Sequence, residues 1–198
     1  MTRRRFLSSL RTDERGTTAI EFAIVAPVLL ALAFGLMEAG YWTYADAVVH
    51  GAVQAAGRGS GLESGQNGQA GIDTLVRDRI RAVIPNATIT ITRTNYENFE
   101  DVHRAEDFDD LNFNNVHDAN ECFDDENNNQ LWDGDVGRTG QGGANDVVLY
   151  EVNVQYDSLL PLGDVLALGR RKQVYASTTL RNQPFATQAS RPMMHVCP

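Results

Sequence analysis

Cysteine, histidine and positive charge are all scarce in this sequence. Only Cys122 and Cys197 are present, which excludes a multi-disulfide scaffold and a four-thiolate zinc centre. The 17 basic residues face 26 acidic ones, a net charge of −9. Nucleic acid is therefore excluded as a partner, because phosphate binding needs a surplus of Lys and Arg. His50, His103, His117 and His195 are scattered, and there is no His-Glu-x-x-His, Gly-x-Ser-x-Gly or phosphate-loop motif. Catalysis has no residue set to rest on, and the expectation is a protein that is not an enzyme. A chain of 198 residues has room for one compact domain with appendages.

What is present is distributed unevenly. Arg3, Arg4, Arg5, Arg11 and Arg15 precede an apolar run from Ala19 to Met37 whose one charge is Glu21. A helix needs ~20 such residues to cross a bilayer. Arginines on its N-terminal side keep that end cytoplasmic and send the remainder across. The run is too long for a cleaved secretory signal. An uncleaved signal anchor accounts for the apolar residues and the arginines but not for Glu21. A carboxylate in lipid costs ~2.5–3.5 kcal/mol at the bilayer centre and less near the interface, so it calls for a functional explanation.

The stretch Gly16-Thr17-Thr18-Ala19-Ile20-Glu21-Phe22 resembles a type IV pilin-like signal. The longer stretch from Glu14 to Pro27, with Phe34-Gly35-Leu36-Met37-Glu38-Ala39-Gly40 after it, resembles the start of TadE-like proteins, pseudopilins of the tight-adherence (Tad, Flp-type) pilus system. Asp146 to Val152, Leu159-Leu160-Pro161-Leu162 and Arg181-Asn182-Gln183-Pro184-Phe185 also resemble that family, although Gln183 stands where the family usually has Glu. The resemblance implies a minor pilin-like protein acting in pilus assembly and adhesion. Prepilin peptidase cuts between Gly16 and Thr17, so 1–16 is a cytoplasmic leader. Glu21 and Phe22 serve assembly, with Glu21 pairing with the new N-terminal amine of a neighbouring subunit. The implied partners are the peptidase, other pilins and pseudopilins, and the inner membrane. The implied location is a single pass with the C-terminal domain periplasmic, or incorporation into an extracellular pilus. The alternative is an uncleaved, membrane-anchored periplasmic binding protein with a calcium-stabilised loop.

The remaining chain reads as α+β. A long N-terminal hydrophobic helix spans 17–57, with Pro27 inside it, and Gly57-x-Gly59-x-Gly61 ends it. Ala47, Gly51 and Ala55 form a small-residue face suited either to close helix contact or to packing on the domain. The exported domain, 58–198, is pilin-like. Its second helix follows the stripe Ile72, Leu75, Val76, Ile80, Val83 and Ile84. Alternation predicts strands at 87–93, 147–157 and 173–180 in a small, mostly antiparallel sheet. Residues 159–168 read as a short helix.

An acidic insertion occupies 95–145, with Arg104 and Arg138 its basic residues. Within it, Asp125, Asn127, Asn129, Leu131 and Asp133 occupy loop positions 1, 3, 5, 7 and 9 of a calcium loop, Leu131 through its carbonyl. Position 6 is Gln130 instead of Gly, and position 12 is Val136 instead of Glu, so Asp135 or a carboxylate from outside the loop has to complete the set. A calcium site and a solvated acidic loop, mobile without a cation, both remain open. Cys122 and Cys197 are an even pair in a domain expected to meet an oxidising compartment, where such pairs close.

Overall fold

The computed structural model describes residues 17–60, 68–159, 170–184 and 192–197. Gly16, the short helix expected at 159–168 except for Leu159, and Phe185 lie outside the described residues. The chain divides into two units, 1–44 with 158–170 and 45–157 with 171–198.

Helix α1, Thr17–Ser60, is 44 residues long and passes through both units. In the first unit it is apolar all round. Ile20, Phe22, Ile24, Val28, Leu32 and Leu36 are each at least 63% exposed. A helix with no polar face suits lipid or a bundle of its own kind. An 18-residue stretch of it has a mean hydropathy of 2.3, and that stretch and its length make it the one helix among the described residues able to cross a membrane. Pro27 lies inside it without ending it. The helix also runs through Gly57 and Gly59, beyond the break expected there. The reason is tertiary: a Cβ on Gly57 would stand 2.8 Å from Cγ2 of Thr178, so glycine permits close approach to a strand.

The second unit is α+β. It contains the end of α1, then α2 (Gln69–Val83), β1 (Thr88–Tyr96), β2 (Phe123–Asp125), β3 (Arg138–Thr139), β4 (Val147–Asp157), β5 (Arg171–Arg181) and β6 (Met194–Val196). Four strands form an antiparallel sheet in the order β3-β1-β4-β5, while β2 and β6 pair separately. β1 and β5 extend past the ends predicted for them, because ladder bonds to β4 continue beyond the alternating residues.

Alternation decides the two faces of the sheet. Val148, Tyr150, Val152, Val154 and Tyr156 of β4 are buried, with Val174 and Ala176 of β5 beside them. Above that face lie Ala45, Val49, Ala52, Val53 and Ala56 of α1, and Val76 and Ile80 of α2. Each such side chain contributes about 1.5–3 kcal/mol when Val-sized or larger. Ala47 and Gly51 are exposed while Ala55 is half-buried beside Ile72 and Leu75 of α2, so the small-residue face turns away from this core at its first two positions and meets the domain at the third. α2 is locked to the sheet by charge. Arg93 forks onto Asp73 at 2.6 and 3.0 Å and lies over the Tyr150 ring, whose hydroxyl donates to the same Asp73 at 3.0 Å. On the opposite face, Val147, Leu149 and Tyr96 are covered by Val136 and Val102. Those last two come from the acidic insertion, which is a structured layer folded onto the sheet and supplies β2 and β3 as well.

Candidate functional site: two oxygen-lined loops

Asp125 begins the candidate loop at the end of β2 and is fully buried. Its carboxylate accepts N–H bonds from Asn128 and Asn129 through Oδ1, and from Gln130 through Oδ2 at 2.8 Å. Asn127 Oδ1 accepts from Asn129 N–H, and Asn129 Oδ1 from Leu131 N–H at 2.7 Å. The amide groups of Asn127 and Asn129 both donate to Asp133 Oδ2, at 2.6 and 2.5 Å. The five side chains or carbonyls expected from the sequence therefore belong to one tight turn. Gln130, where glycine is usual, adopts the left-handed conformation with φ 65°. The backbone required by the loop is formed without glycine, at a cost of order 1 kcal/mol.

A carboxylate from upstream bonds to the loop. Glu106, 1% exposed, accepts from Glu126 N–H through Oε1 at 2.9 Å and from Asp133 N–H through Oε2 at 3.0 Å. Asp135 points elsewhere, to Tyr96 Oη and to Gly137 N–H. Burial pushes the Glu106 carboxyl above the usual range, against three backbone N–H bonds that lower it.

A second loop of the same geometry lies next to it, and the sequence reading passed over it. Asp110, Asn112, Asn114, Val116, Asp118 and Glu121 fall at positions 1, 3, 5, 7, 9 and 12. Asp110 accepts from Asn114 and Asn115 N–H at 3.1 and 2.8 Å. Asn112 and Asn114 donate to Asp118 Oδ2 at 2.6 and 3.1 Å. Glu121, 1% exposed, takes Leu111 N–H on Oε1 and Asp118 N–H on Oε2, both at 2.9 Å. Glu106 makes the equivalent pair of bonds in the other loop. Position 6, Asn115, again has positive φ, 59°. The spacing was legible, but the continuous run of acidic and Asn residues hid where one loop ended and the next began.

The loops are joined at three places. Position 8 of each meets its counterpart: His117 stacks on Trp132, centroids 4.9 Å apart and planes 12° from parallel. Phe108 and Phe123 bridge as a β-pair and present ring edges to that stack. Cys122 stands between Glu121 and Asp125 and is bonded to Cys197, the two Cα atoms 4.2 Å apart. β6 then pairs Val196 with Phe123 and Met194 with Asp125.

Electrostatically, the pair of loops is one-sided. Among the described residues, no Lys, Arg or His side chain pairs with Glu106, Glu121 or Asp125. Arg104 is taken by Glu126, Asp101 and Asp107. Buried carboxylates are normally matched by a cation or a metal ion. Here N–H groups do the matching, and the Asn amides bring only partial positive charge to Asp118 and Asp133. Oxygens of Asp, Asn, a backbone carbonyl and Glu at this spacing are the hard donors that calcium takes six to eight at a time. The residues present fit that ion and offer nothing soft to a transition metal. His195 lies near Cys122 and Cys197, but both sulfurs are held in the disulfide.

At the other end of the molecule, Thr17 opens α1, and Glu21 and Phe22 lie on its exposed surface, Phe22 at 72%. No curated protein and no solved structure matches the chain. Residues 16–58 match the model of the family described as TadE-like protein. That stretch is Gly16 followed by α1 as far as Arg58, and over it the chain is similar to that family.

Proposed function

We propose that this protein is a minor pilin-like component of a Tad pilus apparatus, anchored in the inner membrane by α1 with its folded domain on the periplasmic side. The observation that carries this reading is the coincidence of the TadE-like match with a 44-residue helix whose first half is exposed and apolar and holds Glu21 near its start. A lone carboxylate in lipid is relieved by a cation. Cleavage after Gly16 by prepilin peptidase would create one, the amine of Thr17 on a neighbouring subunit. The remaining partners would be other pilins and pseudopilins, and the role is structural, in assembly and adhesion. N-terminal sequencing of the membrane-extracted protein tests the processing. Thr17 at the terminus supports it, whereas Met1 or Thr2 supports the uncleaved anchor with a periplasmic binding domain.

A second reading concerns the loops. The buried carboxylates of Glu106, Glu121 and Asp125, without a cationic partner among the described residues, favour calcium as the ion that orders this layer. Asp125, Asn127, Asn129, Leu131, Asp133 and Glu106 would hold one ion, and the loop from Asp110 to Glu121 a second. Extracellular calcium sites with dissociation constants of ~10⁻⁴–10⁻³ M are filled outside the cytoplasm. Calorimetric titration of the full chain in detergent with calcium tests it, and no heat of binding would remove this reading while leaving the pilus role standing.

A further inference from the structure

The C-terminal segment reaches the loops at the place where a small movement would disturb both. β6 is three residues long and, among the described residues, pairs only with β2, itself three residues. β2 follows Cys122 directly, and its last residue is Asp125, the first acceptor of the downstream loop. Upstream of Cys122 stands Glu121, the last acceptor of the other loop. Cys122 O also accepts from Asp109 N–H at 2.9 Å, and Asp109 immediately precedes Asp110. His195 of β6 repeats this bridging with its side chain. Its Nδ1 lies 2.8 Å from Asp124 and its Nε2 3.8 Å from Asp109, the residues just before the first acceptor of each loop. A two-stranded pair this short is marginal by itself. β2 is bonded along its other edge to residues 107–109, through the Phe108–Phe123 bridge and Asp124 N–H to Asp107 O at 2.8 Å, whereas β6 has the β2 ladder and the Cys122–Cys197 bond, which spans 75 residues of sequence.

We propose that the C-terminal segment is a redox-operated latch on the two loops. With the disulfide closed, β6 holds β2, and β2 holds Glu121 and Asp125 in position to receive the backbone N–H groups of both turns. Opening the bond releases β6 and loosens both loops together. Cys197 is exposed and Cys122 is half-buried, so an incoming thiolate meets the Cys197 sulfur first. A dithiol reductant attacks there, forms a mixed disulfide and expels the Cys122 thiolate. Its second thiolate then displaces the Cys197 thiolate. Two electrons pass from the dithiol, which leaves as its cyclic disulfide, and the protons of its two thiols go to the two cysteines. The consequence for ion affinity rests on the calcium reading above; the ordering of the loops does not.

The experiment uses the full chain in detergent micelles, oxidised or treated with dithiothreitol, and a Cys122→Ser/Cys197→Ser variant that has no bond to open. Hydrogen exchange in chelator is followed at the amides of Leu111, Asp118, Glu126 and Asp133, all of which donate to Glu121 or Glu106. The latch predicts at least tenfold faster exchange at all four after reduction and in the variant, with the β1–β4 ladder unchanged. Unchanged exchange at these amides overturns it. Acceleration in the ladder as well marks general unfolding and also overturns it. Calorimetry on the same samples decides the ion separately. Calcium binding at least tenfold weaker after reduction joins latch and ion. Faster exchange with no calcium heat in either form keeps the latch and removes the ion. Equal calcium affinity with unchanged exchange removes the latch and keeps the ion.

Discussion

Replacing Glu106 by Gln separates a calcium-binding layer from a merely acidic one. The wild-type carboxylate is 1% exposed and receives Glu126 and Asp133 N–H on opposite oxygens. Glutamine retains one acceptor oxygen and turns an NH₂ group towards the other N–H. One buried hydrogen bond is lost, at a cost of about 1–3 kcal/mol. The change also removes a buried charge that the ion-free protein tolerates poorly, which offsets part of that cost. In chelator the variant should therefore lie within about 2 kcal/mol of the parent. In calcium the two should diverge. With a dissociation constant of ~10⁻⁴ M, 10 mM calcium stabilises one site by about 2.7 kcal/mol. For a chain of this size that raises the melting temperature by about 5–11 °C. The parent should gain this for each loop, and Glu106→Gln only for the loop from Asp110 to Glu121. The assay is thermal unfolding by circular dichroism in detergent, with calcium, magnesium or chelator. Trp132 emission gives a local signal, because its indole donates to Glu106 O at 3.0 Å. Magnesium should do little, since it keeps its waters and demands tighter octahedral geometry. Equal gains by parent and variant, or no gain by either, would refute the reasoning.

The other expected outcomes test different parts of the molecule. Glu21→Ala should leave membrane insertion intact and abolish or sharply reduce pilus assembly, read as surface pilus yield, and normal yield would end the pairing role. Gly57→Val should cost about 1–3 kcal/mol in thermal unfolding, because even a Cβ there comes within 2.8 Å of Thr178. Adding Thr178→Ser should recover part of that loss by removing the crowding methyl group. Arg93→Ala should cost about 1–3 kcal/mol by leaving the part-buried Asp73 carboxylate with only the Tyr150 hydroxyl among these contacts. The double change Arg93→Ala/Asp73→Ala should be less harmful than the sum of the two single changes.

The apolar run around Glu21, the second helix and the three long strands could be read directly, because each depends on local patterning. Twenty apolar residues cross a bilayer whatever follows them, and strict alternation from Val148 to Tyr156 needs one buried face. The donor order from Asp125 to Asp133 was equally local. What the sequence could not determine was which distant groups meet. Glu106 reaches a loop that starts 19 positions later because Glu106 N–H bonds to Asp133 O, a contact made only after the insertion folds. Helix α1 continues through Gly57 because Thr178 lies against it, overriding the usual role of glycine as a terminator. Glu126 lies in the same loop, and which partner it takes was also a tertiary matter: Arg104 holds it at 2.7 Å. Local pattern specifies the elements because neighbours along the chain decide it. Pairing across 75 residues, as between Cys122 and Cys197, depends on the packing of all the layers between, and only the tertiary structure decided it.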